Sequence, residues 1–431
     1  MQRYGGAAIP MRQNSKLDSD AGTSASPLEG VTWLLGSAGE IGQGKTAPAL
    51  EPFAPEMLDF LNEVSRELMA NREAKRYPDV VTFAFWIRKS STLKLKERFC
   101  KEDGNIHLGR GLAFHIAPSN VPVNFAYSLT AGLLTGNANV VRVPSKDFPQ
   151  VDAVKQAFCG VMDREAHKFL KPYVALVRYG RNKEINNYFS SIADTRIVWG
   201  GDDTVREIRQ SSLAPRAGEI TFADRYSIAV IDSGTYLNAP DKMRIAKDFY
   251  NDTFLSDQNA CTSPKLIAWL GGRRSEAKDE FWANLHKLAE SDYNFQSIMG
   301  VNKLFSSCLA AVAYAAGGHG QSGAVILPRI DNRIVRVKIP GIISGLMDLK
   351  DNSGYFFEYD CDDILELKSL CDDKRCQTIA YIGDKKMLTA LLRSGICGVD
   401  RVVPVGKTMD FDLIWDGYDL YERLTRTISI V

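Results

Sequence analysis

What this sequence has little of narrows its class before any motif is read. Histidine is scarce, five in 431 residues, and net charge nearly vanishes: 53 Lys plus Arg stand against 52 Asp plus Glu, a formal charge of +1. So balanced a chain carries no electrostatic footprint for nucleic acid or an anionic lipid surface. No unbroken apolar run reaches about 18 residues, so no membrane span is predicted. The opening Met1-Gln2-Arg3-Tyr4-Gly5 lacks the apolar stretch of a secretory signal, and the expected location is cytoplasmic. The eight cysteines, at 100, 159, 261, 308, 361, 371, 376 and 397, include no CxxC pair and none with histidine at zinc-finger spacing. The expectation is eight reduced thiols, mostly small buried hydrophobes, and no metal site.

What is present is ordinary for a globular protein: 45% apolar and 24% charged residues, in a chain long enough for two or three packed units. Residues 1–28, rich in Gly, Ser, Ala and Asp, read as a mobile tail. Gly39-Glu40-Ile41-Gly42-Gln43-Gly44-Lys45-Thr46 formally matches a phosphate-cradling P-loop, which needs a helix starting at its Lys-Thr. Pro48, Pro52 and Pro55 follow and deny that helix its hydrogen bonds, so a Gly-rich surface loop is expected there. Residues 56–98 read as amphipathic helix, with Leu58, Leu61, Val64 and Leu68 on one stripe.

From Gly111 the pattern becomes regular. Strands are predicted at 111–116, 139–143, 173–179, 196–199 and 226–231. Helices are predicted at 121–134, 151–170, 184–192 and from 204. Strands alternating with helices at this spacing mean a parallel, doubly wound sheet. Such sheets bind ligands at the carboxyl ends of their strands. The loops there are Ala117-Pro118-Ser119-Asn120, Pro144-Ser145-Lys146 and Gly200-Gly201-Asp202-Asp203. A second block begins after Asp232 and contains Asp257-Gln258-Asn259-Ala260-Cys261-Thr262-Ser263-Pro264, which leads into the apolar strand Lys265-Leu266-Ile267-Ala268-Trp269-Leu270.

Taken in order, seven segments resemble the aldehyde dehydrogenase superfamily, and more closely its LuxC branch of luciferase-system acyl-CoA reductases. They are His115-Ile116-Ala117-Pro118-Ser119-Asn120-Val121-Pro122, Gly136-Asn137-Ala138-Asn139-Val140-Val141-Arg142, and Trp199-Gly200-Gly201-Asp202-Asp203. Then come the Asp257–Pro264 run, Gly354-Tyr355-Phe356-Phe357-Glu358, Cys376-Gln377-Thr378, and Asp400-Arg401-Val402-Val403-Pro404-Val405-Gly406. The resemblance spans about residues 105–420. It implies an aldehyde dehydrogenase-like α/β fold: a Rossmann-type doubly wound cofactor domain plus an α/β catalytic domain. The expected division is a tail at 1–28, a helical segment and dinucleotide-binding domain at 29–231, a catalytic domain at 232–400, and a return segment at 401–431 packing on the cofactor domain.

The chemistry that the resemblance implies is coherent. Reducing a thioester to an aldehyde needs a nucleophile that gives a second thioester, and thiolate is suited to it. Cys261 stands at the family's nucleophile position, and the polar Asp257-Gln258-Asn259 before it is unlike a packed core segment. Negative charge develops on the carbonyl oxygen, and a preorganised donor there is worth roughly 3 kcal/mol. Asn120, in a Pro-x-Asn-x-Pro setting, resembles the side-chain donor, although it could instead cap the helix near Val121. Lys146 stands where relatives carry a Glu that holds the adenosine ribose. A cation there suits a 2′-phosphate, so NADPH is the implied cofactor. Pro118, Arg142, Ser145, Trp199, Gly200, Gly201 and Asp202 complete the implied cofactor site, with Phe356 and Glu358 at the nicotinamide ribose. In Thr221-Phe222-Ala223-Asp224-Arg225-Tyr226-Ser227, Thr221 occupies the position of the Glu that activates water in acid-forming relatives, with Glu219 two residues earlier. That absence favours an acyl-CoA reductase over an aldehyde-oxidising enzyme, and the same-class alternative is an aldehyde dehydrogenase or an acyl-phosphate reductase, which a change of acyl donor separates. Implied partners are an acyl-CoA, an acyl-protein synthetase and further copies of the chain. His319, in a Gly-rich run, reads either as a general acid or as an ordinary loop residue. Two rivals of other classes are a P-loop nucleotide hydrolase at 39–46 and an inactive scaffold that binds an acylated protein.

Overall fold

The computed structural model describes residues 27–100, 102–316, 323–328 and 330–431. His319 and nearly all of the predicted tail lie outside the described residues. In the first half the strands are β1 (Thr32–Leu35), β2 (Ile106–Gly109), β3 (Leu112–Ile116), β4 (Ala138–Arg142), β5 (Val174–Arg178), β6 (Thr195–Trp199) and β7 (Gly218–Phe222). Six of them form one sheet in the order β1-β5-β4-β3-β6-β7, parallel except for β1. The chain winds outward from β3 through β4 to β5, then returns to place β6 on the other side of β3. Doubly wound sheets bind their ligands in a crevice at such a reversal, here above the carboxyl ends of β3 and β6. All five residues of β3 are buried, as expected of a strand covered on both faces. The helix Pro55–Ala70 buries Leu58, Leu61, Val64 and Leu68 against this domain.

The second half contributes β8 (Tyr226–Asp232), β9 (Pro264–Leu270), β10 (Val325–Ile326), β11 (Val335–Ile339), β12 (Tyr355–Asp360), β13 (Cys376–Ile382) and β14 (Arg401–Pro404). They form a seven-stranded sheet ordered β10-β11-β12-β9-β8-β13-β14. Alternation sends Ile228 and Val230 into one core, and Ala229 and Ile231 into the core on the opposite face. The strand predicted at 226–231 is therefore an inner strand of the second sheet, not the fifth of the first. Period and composition identify a buried strand but not which sheet will pair with it. The sheets divide at Ala223-Asp224-Arg225 rather than after Ile231.

Beyond β14 the chain goes back to the first domain through β15 (Ile414–Trp415), β16 (Tyr418–Asp419) and β17 (Thr425–Ile428), which pairs with β2. Phe411, Leu413, Trp415, Leu420, Tyr421 and Leu424 join the first core.

One further expectation is corrected. Residues 38–46 are a helix, Ala38–Thr46, capped by the Ser37 hydroxyl, which accepts the Glu40 N–H at 3.2 Å. Gly44 is buried where a Cβ would meet the Pro172 carbonyl oxygen at 2.4 Å, so glycine is there for packing. A helix over the whole motif leaves no loop of free N–H groups, and the nucleotide hydrolase reading loses its site. The helix Ser297–Ala316 is long and apolar enough, by length and composition, to cross a membrane. Small polar residues interrupt it, which hid it from a search for an unbroken apolar run.

Asn137 ties the first domain together. Its Oδ1 accepts the Arg110 and Gly111 N–H groups at 2.7 and 3.2 Å, and its Nδ2 donates to the Leu424 carbonyl at 2.9 Å. Asn137→Ala would leave buried backbone groups unpaired and is expected to cost about 2–4 kcal/mol. Urea unfolding followed by fluorescence measures it, and a loss below about 0.5 kcal/mol would contradict the tie.

Candidate active site

Cys261 ends a turn at the amino edge of the second sheet, three residues before β9 begins. Two consecutive non-glycine residues in left-handed conformation, Asp257 (φ 50°) and Gln258 (φ 59°), bend the chain into this turn. A side chain rarely adopts that geometry unless its surroundings hold it. Here the Gln258 amide holds it. Oε1 accepts the N–H groups of Gly354 and Tyr355 at 2.9 and 3.1 Å, while Nε2 donates to the Pro264 and Tyr355 carbonyls at 2.8 and 3.0 Å. Beneath the turn the buried Lys265 ammonium donates to the Gln258 carbonyl, the Asp351 carbonyl (3.2 Å) and Asn352 Oδ1. Burial pulls that ammonium down to about 7. Ser227 Oγ donates to the Cys261 carbonyl at 2.7 Å.

The thiol itself is half-buried. Burial raises its pKa above the ordinary range, and the Asp416 and Asp224 carboxylates act in the same direction. The Arg225 backbone N–H, which donates to the sulfur, and the Lys265 charge oppose them. Arg225 belongs to the segment that joins the two sheets. Its guanidinium pairs with Asp400 and, at 3.6 Å, with Asp416, and donates to the Lys374 and Cys376 carbonyls at 3.0 and 2.9 Å. Gln377 donates to Asp416 from the other side. Arg225, Lys265 and Asp416 were not singled out from the sequence. Nothing in the sequence marked them, because 226–231 read as a further strand of the same sheet.

The opposite wall is the carboxyl edge of the first sheet. Asn120 is exposed on the loop after β3, with Pro118 beside it. The helix that follows is Asn124–Leu134, and its N-terminal residue Val123 offers no side-chain cap, so Asn120 does not cap it. Ser145 and Lys146 are exposed beyond β4, the Lys146 ammonium 5.2 Å from the Phe148 ring centre. Gly200 makes a tight turn in which a Cβ would lie 3.0 Å from Thr204, and Gly201 and Asp202 open the next helix. Met409 joins the walls: the Thr262 hydroxyl meets its sulfur at 3.2 Å, and two residues on, Phe411 packs on Tyr127 at 5.1 Å.

Four predicted site residues are placed differently. Arg142 is turned toward β5, donating to the Tyr179 and Gly180 carbonyls at 3.3 and 3.2 Å and stacking on the Tyr179 ring. Trp199 forms the floor of the crevice, stacked on Phe222 at 3.6 Å with its N–H given to Ser128 Oγ. Phe356 and Glu358 are fully buried in the second domain. The Glu358 carboxylate accepts Trp282 Nε1 at 2.6 Å and pairs with Lys278 (3.3 Å) and Arg336 (3.5 Å). It aligns with Ile267, three residues into β9 and so roughly 10 Å from the edge that carries Cys261. Strand alternation, invisible without knowing the sheet's neighbours, turns both side chains toward the helix Arg274–Asp292 instead of the crevice. Glu219 is also occupied, by Arg196 at 2.6 Å and Arg209 at 2.7 Å. Among the described residues no cluster of three metal-ligating side chains occurs.

Residues 93–291 match the family model described as acyl-CoA reductase (LuxC). The long-chain acyl-protein thioester reductase 2 of Photobacterium leiognathi is 26% identical over 221 residues, 50% of this chain and 44% of that protein. The corresponding reductase of Photobacterium phosphoreum is 22% identical over 223 residues, with the same shares. Over that stretch, just under half of its length, this chain is similar to the LuxC reductases. The match spans less than half the length of these relatives. Among solved structures, an NAD-dependent benzaldehyde dehydrogenase from Corynebacterium glutamicum superposes with a TM-score of 0.60 at 14% identity, covering 90% of this chain and 88% of that one. An oxidoreductase from Marinobacter aquaeolei gives 0.63 at 13% identity, covering 94% and 99%. The fold is that of the aldehyde dehydrogenases.

The electrostatics around Cys261 set its reactivity in the ligand-free protein. With the thiolate disfavoured by burial, alkylation by iodoacetamide is expected to rise with pH to a midpoint above that of a free cysteine, about 8.5. Peptide-resolved mass spectrometry from pH 6 to 11 reads this directly, and a midpoint below 8 would refute the burial argument.

Proposed function

We propose that this protein reduces a long-chain acyl thioester to the aldehyde with NADPH, through an acyl group carried on Cys261. The observation that carries this reading is the placement of Cys261 on a pinned turn at one wall of a crevice whose other wall is the ligand-binding edge of a doubly wound sheet. In the first step the Cys261 sulfur attacks the thioester carbonyl. The new carbon–sulfur bond forms, the bond from the carbonyl carbon to the donor's own sulfur breaks, and the donor's thiol leaves with the proton given up by Cys261. The Asn120 amide and the Cys261 backbone N–H donate to the oxygen while it bears negative charge. In the second step hydride adds to the acyl carbon, the bond to Cys261 breaks, and the aldehyde departs. When bound, the reduced nicotinamide supplies that hydride.

The residues present fit such a cofactor at the crevice over β3 and β6. Lys146, exposed beyond β4, provides a cation for a 2′-phosphate, and Gly201, with open space where a Cβ would stand, lets a diphosphate approach the backbone. Pro118, Ser145, Gly201 and Asp202 line the same edge. Arg142, Trp199, Phe356 and Glu358 are left out of direct contact, because their polar groups are engaged or their rings buried. The reductive direction is favoured over acid formation by what stands at the position of the water-activating Glu of acid-forming relatives. Thr221 is too weak a base to activate water, and the neighbouring Glu219 carboxylate is held by two arginines. The relatives' names point to an acyl group borne on a protein, whereas the family description points to coenzyme A. Both donors present the same carbonyl to Cys261.

Intact-protein mass spectrometry with a series of acyl-CoAs tests the covalent step. Wild type is expected to gain the acyl mass, whereas Cys261→Ser should neither gain it nor reduce the donor, with turnover down at least ~10³-fold and NADPH affinity within about twofold of wild type. Acylation that persists in the serine variant would move the nucleophile elsewhere. The cofactor reading has its own test. Lys146→Glu is expected to lower the ratio of kcat/KM for NADPH over NADH by at least about tenfold, since it replaces a phosphate partner with a repelling carboxylate. An unchanged ratio would leave Lys146 a surface charge.

A further inference from the structure

The helix Ser297–Ala316 has two faces, and the described residues cover one of them. The inner stripe is Lys303, Ser307, Ala310 and Tyr314, all buried. Lys303 donates to the Arg333 and Ser353 carbonyls at 3.0 and 2.6 Å, and the Tyr314 hydroxyl donates to the Gly341 carbonyl at 2.6 Å. These bonds dock the helix on the catalytic domain. The outer stripe is Ile298, Val301, Phe305, Cys308, Val312 and Ala315, every one exposed. Phe305 and Val312 are 64% and 65% exposed, and Leu304 and Leu309 flank the stripe, also exposed.

An ordinary surface helix is polar on its outer face. This one carries a single charge over twenty residues, that of Lys303, which points inward. The outer stripe advances by three, four, three, four and three residues, the repeat by which one helix buries a seam against another. That succession reads the same in both directions, so two copies of the helix laid antiparallel keep their seams in register. The exposed fractions of the outer apolar side chains amount to ~600 Å², so two copies would bury ~1,200 Å², the lower bound for a specific, stable interface. An uncharged face also meets its own copy without like-charge repulsion, and homodimer interfaces are the most apolar class. A lipid surface is the poorer fit, because helices that lie on membranes carry Lys and Arg beside the apolar face.

We propose that the outer face of Ser297–Ala316 is the contact through which two copies of this chain associate, as an antiparallel pair of helices. Cys308 lies near the middle of the helix, so the two copies of its sulfur would sit close to the symmetry axis. The test uses the full chain. Sedimentation velocity from about 0.5 to 50 μM is expected to show a dimer, or a multiple of it. The double variant Val301→Glu, Phe305→Glu is expected to halve that mass, raising the dissociation constant at least ~100-fold. Both positions are exposed, and an unchanged circular dichroism spectrum and melting temperature would show that the variant is folded. A short bismaleimide should link two wild-type chains, and the link should be lost in Cys308→Ser but kept in Cys159→Ser and Cys397→Ser, the other exposed thiols. A wild type that is monomeric throughout overturns the proposal, as does a folded double variant of unchanged mass or a cross-link that survives Cys308→Ser. A monomer that sediments with phosphatidylglycerol vesicles through Val301 and Phe305 would assign the face to lipid and overturn it equally.

Discussion

The arrangement of the crevice depends on one buried guanidinium. Arg225 lies where the chain leaves the first sheet for the second, and its side chain reaches Asp400, Asp416 and the carbonyls of Lys374 and Cys376. Those partners come from the entry into β13, the segment before β14 and the return to the first domain. One cation thus holds three separate stretches against the linker. A largely buried arginine tolerates this only because carboxylates and carbonyl dipoles replace the water it has lost. The same residue gives its backbone N–H to Cys261, so the group that joins the two sheets also adjusts the thiol.

The nucleophile turn shows how a fold makes an unfavourable conformation dependable. Two left-handed residues in succession would not persist in a free peptide. All the hydrogen-bonding capacity of the Gln258 amide goes into the backbone around them, and the Lys265 ammonium fills the space beneath with donors. The result is a sulfur whose position is set by the sheet rather than by its own loop. The cost is electrostatic: a site dry enough to be rigid disfavours the thiolate, and its ionisation relies on the Arg225 N–H and the Lys265 charge. In the proposed reaction, an acyl thioester on such a sulfur is shielded from water while it waits for hydride.

The two domains differ in how completely they bury their apolar surface. The first is closed by the return segment, whose Phe411 and Trp415 complete an aromatic cluster with Tyr127 and Trp199. The second leaves one long helix docked by its inner face and apolar on its outer one. Satisfaction of the core cannot explain the outer stripe, because the inner stripe already supplies it. An interaction between molecules can.

The sequence by itself determined the parallel strands β3 to β6, because strands covered on both faces are written as short apolar runs between helical stretches. It also determined where Asn120, Lys146 and Gly200 would stand, since each follows a strand that the pattern locates, and where Cys261 would stand, just before one. Tertiary structure alone decided which sheet took residues 226–232, because a buried strand carries no mark of its partner. It decided that Phe356 and Glu358 face a helix and not the crevice, since a period of two fixes that neighbours alternate but not which face meets the ligand. The glycines at 39–46 became a helix because Gly44 had to fit against Pro172, a neighbour 128 residues away. Arg225 and Asp416 were illegible for the same reason. Their meaning is a contact between distant segments, and only a folded chain brings those segments within reach.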